Sequence, residues 1–557
     1  MTDSRRKRNK KSVKKYSKLT RITIFKMLVM SIITLIPVFM GGFHPSKIAA
    51  LVEIFIIFTL GQLITKKIKY VTYFISSTLY LISMVNTAFA IFSGSYVTLI
   101  MWNNITNLSA LGDSLPLYTV LALLVIILAF LPTVLGLWAK EKLWPKLVVG
   151  AGLILLELVM VASPKINTPL ESTKQLIVDI KDFNANVEKL KNKNPKKVAR
   201  IYNEFKRSSV DNGIDTNKKN LNVILILAEG FPDKVLDSEN GLSESITPNL
   251  DEFSKETINF KNYYNHTAAT YRGINGQLTS GYQYSNGDEM GTTQIKKRFK
   301  TNVISVQNIL DKNGYDTSFV NPEPNQALFS KYLESLDFDE VVSGNSEQLS
   351  EIDGHGKVLD DEENYKVVES QMKKSKDKFF ISTYTFGTHM GLDAEKKKKG
   401  VSGERANTFY YSDYAFGRFW KKFKKSKYYD NTVVIFTTDH TAFVDASFQK
   451  AFDTKPDFFV NKVPMMIYYP GVQPQTIDAG GKNSLSLAPT IIDLLGYEQS
   501  KNYFLGNSLF SNQVTEFQYR SDIMGGEYST KDNKIKPIGG DETQEKVNDY
   551  FYISMAY

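Results

Sequence analysis

The amino-acid sequence predicts an N-terminal multi-span α-helical membrane domain followed by an extracellular α/β domain with a mainly parallel sheet. Three observations support this fold class. Long apolar stretches fill the first 165 or so residues, basic residues flank them alternately, and short apolar runs alternate with helical patterns from about residue 219 onward. A chain of 557 residues is also too long for a single domain.

Composition restricts the class of protein. The formal net charge is +10, and much of the excess lies in the first twenty residues, in the run RRKRNKKSVKKYSK. An apolar segment follows this run directly, which favours a cytoplasmic membrane flank (residues 1–20) over a nucleic-acid-binding tail. Cysteine is absent, so the chain has no disulfide and no thiolate metal site.

The membrane domain is predicted at residues 21–164. Each apolar stretch approaches the roughly 20 residues that a helix needs to cross the hydrocarbon core. Buried core helices are the alternative, but successive stretches of this length favour membrane spans. The first span is interpreted as an anchor and not as a cleaved signal peptide, because further spans follow it. The five predicted spans are Ile22–Met40, Ile48–Ile64, Val71–Phe92, Leu117–Leu137 and Leu147–Ala162.

Charge in the connecting loops predicts the orientation of these spans. Cytoplasmic loops are enriched in Lys and Arg. The N-terminal tail and the loops after the second and fourth spans are basic. The loops after the first and third spans are nearly uncharged. An odd number of spans then places everything after about residue 165 outside the cell. We expect an amphipathic helical linker at residues 165–218 and an extracellular catalytic domain at 219–557.

The outer domain is predicted to be α/β because strand-like apolar runs alternate with segments of helical periodicity. Short runs typical of buried strands are separated by segments with apolar residues at three- and four-residue spacing. Such alternation indicates a mainly parallel sheet covered by helices. The expected strands are Val223–Leu227, Thr317–Val320, Phe379–Thr383, Val433–Thr437 and Val463–Tyr468, and the expected helices are Val303–Asn313, Tyr411–Lys424 and Leu487–Leu495.

Polar side chains follow several of these predicted strands. Glu229 comes just after one strand, Asp439 and His440 come just after another, and His389 follows a third. Ligands of open parallel sheets bind outside the carboxyl ends of the strands. Each residue alone has an ordinary alternative, such as a loop carboxylate, a helix cap or a core histidine. Their common position predicts a site at one edge of the sheet.

A further candidate is Thr270, in the stretch NHTAATYRGINGQLTSGY. The apolar pair Ile274 and Leu278 has the i, i+4 spacing of one helix face, so Thr270 is expected at the start of a short helix. Helix N-termini attract anions through their free N–H groups and dipole. The hydroxyl is therefore either a helix cap or a nucleophile that attacks a phosphorus or sulfur centre.

Two carboxylates, one imidazole and one hydroxyl form a hard-to-borderline ligand set for a divalent ion. Glu229, Thr270, Asp439 and His440 suit Mn²⁺, Mg²⁺ or Zn²⁺. Such an ion would lower the pKa of the Thr270 hydroxyl and stabilise charge on a phosphoryl oxygen. Thr270 is then a candidate for a covalent phospho-intermediate, and His389 for binding substrate oxygens or protonating the leaving group.

The segments LAEGF, ATYRGINGQLTSG and TTDHT resemble those of the sulfatase and alkaline phosphatase superfamily. With the preceding spans, the chain resembles the lipoteichoic acid synthase family of membrane phosphoglycerol transferases, through most of the outer domain. The resemblance implies a sulfatase-like fold and a single Mn²⁺ or similar ion held by Glu229, Thr270, Asp439 and His440. It also implies that Thr270 is the nucleophile and His389 a substrate contact.

The sequence departs from this family at the head-group site. Lipoteichoic acid synthases bind glycerol phosphate through a Trp and an Arg in the stretch that here reads NPEPNQALFSKYLESLDFD, which has neither. Arg272 resembles the phosphoethanolamine transferase branch and is a candidate for bidentate phosphate binding. His355 is a second candidate substrate contact, with an ordinary loop histidine as the alternative. His266 is interpreted as structural.

Together these features predict a phosphotransferase that moves glycerol phosphate from a membrane phospholipid to a cell-surface polymer or glycan of the teichoic acid type, with no nucleic-acid partner. Alternatives are a phosphoethanolamine transferase, a phosphodiesterase or sulfatase-like hydrolase, and a binding module with a dead site. A sulfatase is disfavoured because Thr270, unlike Cys or Ser, cannot become formylglycine. A dead site is disfavoured by the complete ligand set.

Overall fold

A computed structural model gives the architecture of the chain as two compact units, Met1–Asp182 and Phe183–Tyr557. The boundaries expected from the sequence remain predictions. The structure describes residues 2–41, 45–63, 69–93, 96–98, 101–102, 115–133, 148, 151–152, 154–159, 167–190, 194–205, 218, 220–282, 304–323, 327–343, 358–375, 378–443, 446–454, 459–497, 504–523, 526–538 and 549–550.

The first unit is helical. Two of its segments, Lys18–Phe39 and Tyr70–Ile91, are long and apolar enough to cross a membrane by length and composition, and Ile48–Gly61 and Thr119–Ala129 are shorter apolar helices. The fifth predicted span is described only in part. The count of five spans therefore remains a prediction. The helices of this unit are α1 (Thr2–Gly41), α2 (Pro45–Leu63), α3 (Lys69–Ser93) and α4 (Leu115–Ala129). The segment expected to be an amphipathic linker contains α5 (Pro169–Leu190), which continues past the end of the first unit, and α6 (Pro195–Phe205), which belongs to the second.

The second unit is built on an eight-stranded sheet of order β4-β3-β5-β1-β6-β7-β2-β8. All neighbouring strands in it are parallel except β7, which is antiparallel to both β6 and β2. A separate antiparallel sheet has the order β11-β10-β9. The strands are β1 (Asn222–Ala228), β2 (Ile258–Lys261), β3 (Tyr315–Val320), β4 (Glu340–Val342), β5 (Lys378–Tyr384), β6 (Thr432–Thr438), β7 (Met466–Tyr468), β8 (Gln475–Asp478), β9 (Arg520–Ile523), β10 (Gly526–Ser529) and β11 (Lys536–Ile538).

Helices cover both faces of the large sheet, and its central strands β1, β5 and β6 are buried along nearly their whole length. In β1, Val223 and Leu225 face one hydrophobic core, and Ile224 and Ile226 face the other. Strands buried on both faces need this continuous apolar pattern. The remaining helices are α7 (Asp237–Asn240), α8 (Pro248–Ser254), α9 (Thr270–Thr279), α10 (Val306–Asp311), α11 (Ala327–Glu334), α12 (Asp361–Lys374), α13 (Glu404–Phe423), α14 (Ala446–Phe452) and α15 (Leu487–Leu494).

The mainly parallel α/β fold expected from the sequence is confirmed, with differences in the bounds of its elements. The expected helix Val303–Asn313 is observed as Val306–Asp311, with Ser305 as its cap. The expected strand Val463–Tyr468 is shortened to β7, and it pairs antiparallel. The expected helix Tyr411–Lys424 begins earlier, at Glu404, because its first turn buries Ala406 and Phe409 against the same core as the rest of the helix.

Candidate metal centre and nucleophile

The register of the two central strands brings the candidate carboxylates together. Strands β1 and β6 are parallel neighbours, and their last residues, Ala228 and Thr438, are partners. Glu229 and Asp439 each follow directly, so they leave the sheet side by side at its carboxyl edge. Both are almost completely buried. The strand-end prediction therefore corresponds to a real juxtaposition in the structure.

His440 completes this cluster. Its Nε2 lies 3.4 Å from both Glu229 Oε1 and Asp439 Oδ2. Its Nδ1 lies 2.6 Å from the carbonyl oxygen of Thr441. A carbonyl only accepts hydrogen bonds, so Nδ1 carries a hydrogen and the other ring nitrogen, Nε2, faces the two carboxylates. A metal-binding histidine is oriented by its second nitrogen in the same way.

Thr270 is placed against the cluster by the start of α9. Its Oγ1 donates a hydrogen bond to Glu229 Oε2 at 2.9 Å. Ala269, not Thr270, occupies the cap position, and it makes no side-chain cap bond. Ala269 also has a φ of 74°, a conformation that alanine rarely adopts and that is typical of strained functional turns. The hydroxyl of Thr270 is thus directed at the carboxylates, and the residue is only half buried.

Helix α9 packs tightly on the end of β6. A Cβ added at Gly273 would lie 2.1 Å from the carbonyl oxygen of Asp439. One turn later, Gln277 Nε2 donates to the carbonyl oxygens of Thr438 at 2.9 Å and Asp439 at 3.2 Å. These contacts fix the distance between the Thr270 hydroxyl and the carboxylates.

Replacing Gly273 with alanine is expected to force α9 away from Asp439. Overpacking of this kind costs about 1–3 kcal/mol of unfolding free energy. It should also lower the metal stoichiometry, because the added methyl group clashes with the backbone of Asp439, which is a candidate ligand. Thermal unfolding and metal analysis of the purified chain test this. Gly152→Ala is the control, since its added Cβ meets no atom of the described chain within 4 Å. Equal stability and metal content in both variants would contradict the tight packing.

His389 lies on a loop that is hydrogen-bonded to the backbone of Glu229. Glu229 N donates to Thr385 Oγ1 at 3.3 Å, and the Thr388 hydroxyl donates to the carbonyl oxygen of Glu229. The His389 ring stacks on Phe386, with ring centroids 4.7 Å apart. Burial lowers the pKa of His389, and the charges of Glu229 and His440 both act on it. His389 therefore belongs to the surroundings of the cluster, and its role as a substrate contact stays a prediction.

Two residues that the sequence did not suggest hold this loop in place. Asp361, at the start of α12, accepts hydrogen bonds from Phe386 N at 3.2 Å and Gly387 N at 2.9 Å. Arg405, at the start of α13, donates to the carbonyl oxygen of Thr388. No local pattern links these residues to His389 in the sequence, because the bonds join separate elements.

Electrostatics within the cluster favour a bound cation. Burial raises the pKa of Glu229, but the charge of His440 outweighs burial and holds this pKa at about 2. Burial and the charge of Glu229 raise the pKa of Asp439 well above its usual range. Burial lowers the pKa of His440, but the charges of Asp439 and Glu229 outweigh burial and raise this pKa to about 9. Without a metal, these buried groups therefore retain a proton, which a divalent ion would displace.

The buried ligand atoms fit such an ion. Within the part of the chain that the structure describes, Asp439 Oδ2 and His440 Nε2 are buried and lack hydrogen-bond partners. Ligand atoms of Glu229, Asp439 and His440 all lie within 4.8 Å of one another. Carboxylate oxygens with one imidazole suit Mn²⁺, Mg²⁺ or Zn²⁺. The metal site expected from the sequence is thus compatible with the geometry, and the identity of the ion remains a prediction.

Three residues singled out in the sequence, Arg272, His355 and His266, lie outside this cluster or outside the described residues, or have no tested role. Arg272 is buried in α9, and its Nε donates to the Tyr271 hydroxyl at 3.0 Å; its role in phosphate binding stays a prediction. His355 lies outside the described residues. His266 is buried with Nδ1 2.6 Å from Ser484 Oγ, which agrees with the structural role expected for it.

Comparison with known proteins identifies similar families. Residues 221–497 match the family described as Sulfatase. The lipoteichoic acid synthase-like protein YvgJ of Bacillus subtilis (strain 168) is 24% identical over 364 residues, which cover 59% of this chain and 56% of that protein. Lipoteichoic acid synthase 1 of the same organism is 24% identical over 347 residues, which cover 57% of this chain and 52% of that protein. The chain thus spans about half the length of these curated relatives.

A solved structure supports the fold. A protein in the alkaline phosphatase superfamily from Vibrio parahaemolyticus aligns with a TM-score of 0.50 and 21% identity, over 66% of this chain and 96% of that chain. At this level of identity the likeness concerns the fold alone. The family resemblance expected from the sequence is confirmed by these comparisons.

Proposed function

We propose that this chain, which contains a sulfatase-family domain at residues 221–497, is a membrane-anchored phosphotransferase. It transfers glycerol phosphate from a phospholipid to a cell-surface polymer or glycan of the teichoic acid type, through a phosphothreonine at Thr270. One observation carries the proposal: a half-buried hydroxyl donates to a buried carboxylate cluster in which Asp439 Oδ2 and His440 Nε2 have no hydrogen-bond partner among the described residues. The names of the curated relatives support the class of substrate.

The proposed cofactor is one divalent ion, with Mn²⁺ first and Mg²⁺ or Zn²⁺ as alternatives. Glu229, Asp439 and His440 would hold it, with Thr270 as the fourth ligand. When bound, such an ion acts as a Lewis acid that lowers the pKa of the Thr270 hydroxyl and neutralises phosphoryl charge. The protein fixes the ligands beforehand, since His440 and Glu229 are each held by backbone or threonine contacts.

Two displacements at phosphorus make up the proposed reaction. First, the Thr270 oxygen bonds to phosphorus and the bond from phosphorus to the diacylglycerol oxygen breaks; the Thr270 proton ends on diacylglycerol. Second, an acceptor hydroxyl bonds to phosphorus, the bond to Thr270 breaks, and the acceptor proton returns to Thr270. Covalent catalysis divides one difficult displacement into two easier ones.

His389 is the proposed proton carrier in both displacements. Its Nδ1 lies 3.0 Å from the carbonyl oxygen of Met390, so Nδ1 carries the hydrogen and Nε2 is the acceptor. Burial lowers its pKa, which keeps the imidazole neutral near pH 7 and able to accept a proton. Arg272 and His355 remain proposed substrate contacts.

The proposed location is the cell membrane, with several spans and the catalytic domain outside. Alternation of basic and nearly uncharged loops supports this orientation. Two helices have the length and composition of membrane spans, which is weak support for a multi-pass anchor. An anchor would keep the catalytic domain close to a lipid donor.

A phosphoethanolamine transferase is the second candidate. The stretch after β3 lacks the Trp and Arg expected for glycerol phosphate and contains a carboxylate, Glu323. That composition is compatible with a cationic head group. A hydrolase that uses water as the acceptor has no comparable observation in its favour.

Mass spectrometry of the full chain tests the proposed function. Detergent-solubilised protein with Mn²⁺ is incubated with phosphatidylglycerol, quenched in acid and digested. We expect the peptide containing Thr270 to gain the mass of a glycerol phosphate group, whereas a gain of phosphoethanolamine from phosphatidylethanolamine would select the second candidate. Release of diacylglycerol with an unmodified Thr270 peptide at every time point would contradict the covalent intermediate.

A further inference from the structure

Exposed apolar side chains gather at the edge of the large sheet that carries the candidate site. Within the described part of the second unit, five large apolar side chains are exposed: Leu328, Val358, Met390, Leu392 and Val514. All but Val514 belong to the connections that follow β3, β4 and β5, which run parallel to β1. These connections leave the sheet at the same edge as Glu229. Single exposed apolar residues are ordinary, but four at one edge indicate a contact surface.

Hydrogen bonds join these connections around the His389 loop. Val358 precedes Leu359, whose N–H donates to the carbonyl oxygen of Pro322, just after β3, at 2.8 Å. The connection that contains Val358 also holds the His389 loop through the start of α12. Leu392 N donates to the carbonyl oxygen of His389 at 3.3 Å. The exposed apolar side chains therefore lie on neighbouring parts of one edge.

A run of four lysines borders these apolar side chains. Lys396–Lys399 follow Leu392 in the loop that leads to α13, and all of them except Lys398 are exposed. The loop is fixed to the start of α13, where Ala394 N donates to Glu404 Oε1 at 2.7 Å. The same turn of α13 holds the His389 loop. The lysines therefore keep a defined position beside that loop.

The charge of this loop is positive. Lys396–Lys399 outnumber the two carboxylates of the same loop, Asp393 and Glu395. Lys397 forms an ion pair with Glu404 at 2.6 Å, on the exposed surface, where such a pair contributes little to stability. A partner with a negatively charged surface complements this loop.

We propose that the apolar–basic rim, defined as Leu328, Val358, Met390, Leu392 and Lys396–Lys399, docks on the surface of a bilayer that contains anionic phospholipid. Apolar side chains beside lysines are typical of protein surfaces that lie in the interface of such bilayers. The apolar side chains enter between the head groups, and the lysine amines contact the lipid phosphates. This inference rests on the proposed membrane location and not on the chemistry at Thr270.

The test measures contact between the rim and lipid directly. The chain contains no cysteine, so a single introduced cysteine takes a thiol-reactive fluorophore at one position. The full chain is reconstituted in lipid nanodiscs that contain phosphatidylglycerol and a lipid with a nitroxide quencher near its head group. Leu392→Cys and Val358→Cys place the fluorophore on the rim. Val514→Cys is the control, because Val514 is similarly exposed but its segment is bonded through Leu505 to Ser280, at the end of α9 opposite the candidate nucleophile.

Both rim probes should be quenched strongly and the control probe weakly, because only the rim touches lipid. Lys396→Gln with Lys399→Gln, added to Leu392→Cys, should lower the ratio of docked to undocked protein by about fivefold for each lysine removed. Phosphatidylcholine in place of phosphatidylglycerol, or added salt, should act in the same direction. Lys531→Gln with Lys534→Gln removes the same charge from an exposed turn before β11 and should leave the quenching at the parent level.

Equally weak quenching at the rim probes and the control probe would overturn the inference, because this edge would then make no contact with the bilayer. Strong quenching that is unchanged by Lys396→Gln with Lys399→Gln and by the loss of phosphatidylglycerol would contradict an anionic partner. A change in emission caused by soluble poly(glycerol phosphate), without quenching by lipid, would assign the rim to a polyanionic polymer and overturn docking on a bilayer.

These measurements need no turnover, so they separate this inference from the proposed reaction. A docked chain that transfers nothing supports the rim and contradicts the proposed function. A chain that turns over lipid without quenching at the rim contradicts this inference alone. A chain that does not insert into nanodiscs contradicts the proposed membrane location, and this inference with it.

Discussion

Asp439→Ala is expected to lower metal content and turnover together. Asp439 contributes a fully buried carboxylate, and its Oδ2 is one of the unpartnered ligand atoms. Removing it leaves Glu229, His440 and the Thr270 hydroxyl, a ligand set that lacks one of its two anionic members. We expect the bound ion to fall well below one per chain, with turnover reduced by about 10²-fold or more, since metal catalysis depends on occupancy.

A second substitution separates ligation from structure. The other oxygen of Asp439, Oδ1, accepts hydrogen bonds from Gly230 N at 2.9 Å and His440 N at 2.6 Å. Asp439→Asn preserves an acceptor for those bonds while replacing the anionic ligand. It should therefore fold like the parent and still lose metal.

Two measurements compare the Asp439 variants with the parent chain. One is the metal content after dialysis, and the other is the thermal unfolding temperature with and without Mn²⁺. A bound ion stabilises only the state that binds it. Mn²⁺ should raise the unfolding temperature of the parent and of the surface control Asp478→Ala, but not of Asp439→Asn. Full metal stoichiometry in both Asp439 variants would exclude Asp439 as a ligand.

The candidate site was largely predictable because strand ends are visible in a sequence. Glu229 and Asp439 each follow a seven-residue buried strand, and carboxyl ends of parallel strands meet at one edge. The order of the strands was not predictable. Nothing local in the sequence states that β1 lies between β5 and β6, although that order and the β1–β6 register are what place the two carboxylates side by side.

The residues that support the site were missed for a related reason. Thr385 and Thr388 bind the backbone of Glu229 from more than 150 positions away, and Asp361 and Arg405 hold their loop from two other helices. Such bonds depend on tertiary packing and leave no periodic pattern. Gly273 is an intermediate case: a glycine near the start of a helix indicates close packing, but not what it packs against.

Thr270→Ala is expected to abolish turnover while leaving the fold and the metal in place. The hydroxyl donates to Glu229 and makes no cap bond, since Ala269 occupies the cap position. Its loss should therefore cost only about 1–3 kcal/mol of stability. Glu229, Asp439 and His440 remain to hold the ion. Turnover should fall by about 10³-fold or more, because a covalent mechanism has no substitute for its nucleophile.

Two further variants, Thr270→Ser and Thr267→Ala, make this prediction specific to nucleophilic attack. Thr270→Ser keeps a hydroxyl and should retain part of the turnover and the covalent adduct. Thr267→Ala removes a nearby buried hydroxyl, which contacts the Ala268 carbonyl oxygen at 3.5 Å, and should stay within about tenfold of the parent. Metal content should be unchanged in all three variants. Turnover of a lipid donor by metal-loaded Thr270→Ala within about tenfold of the parent would show that Thr270 is not the nucleophile, because water or another residue would then be attacking phosphorus.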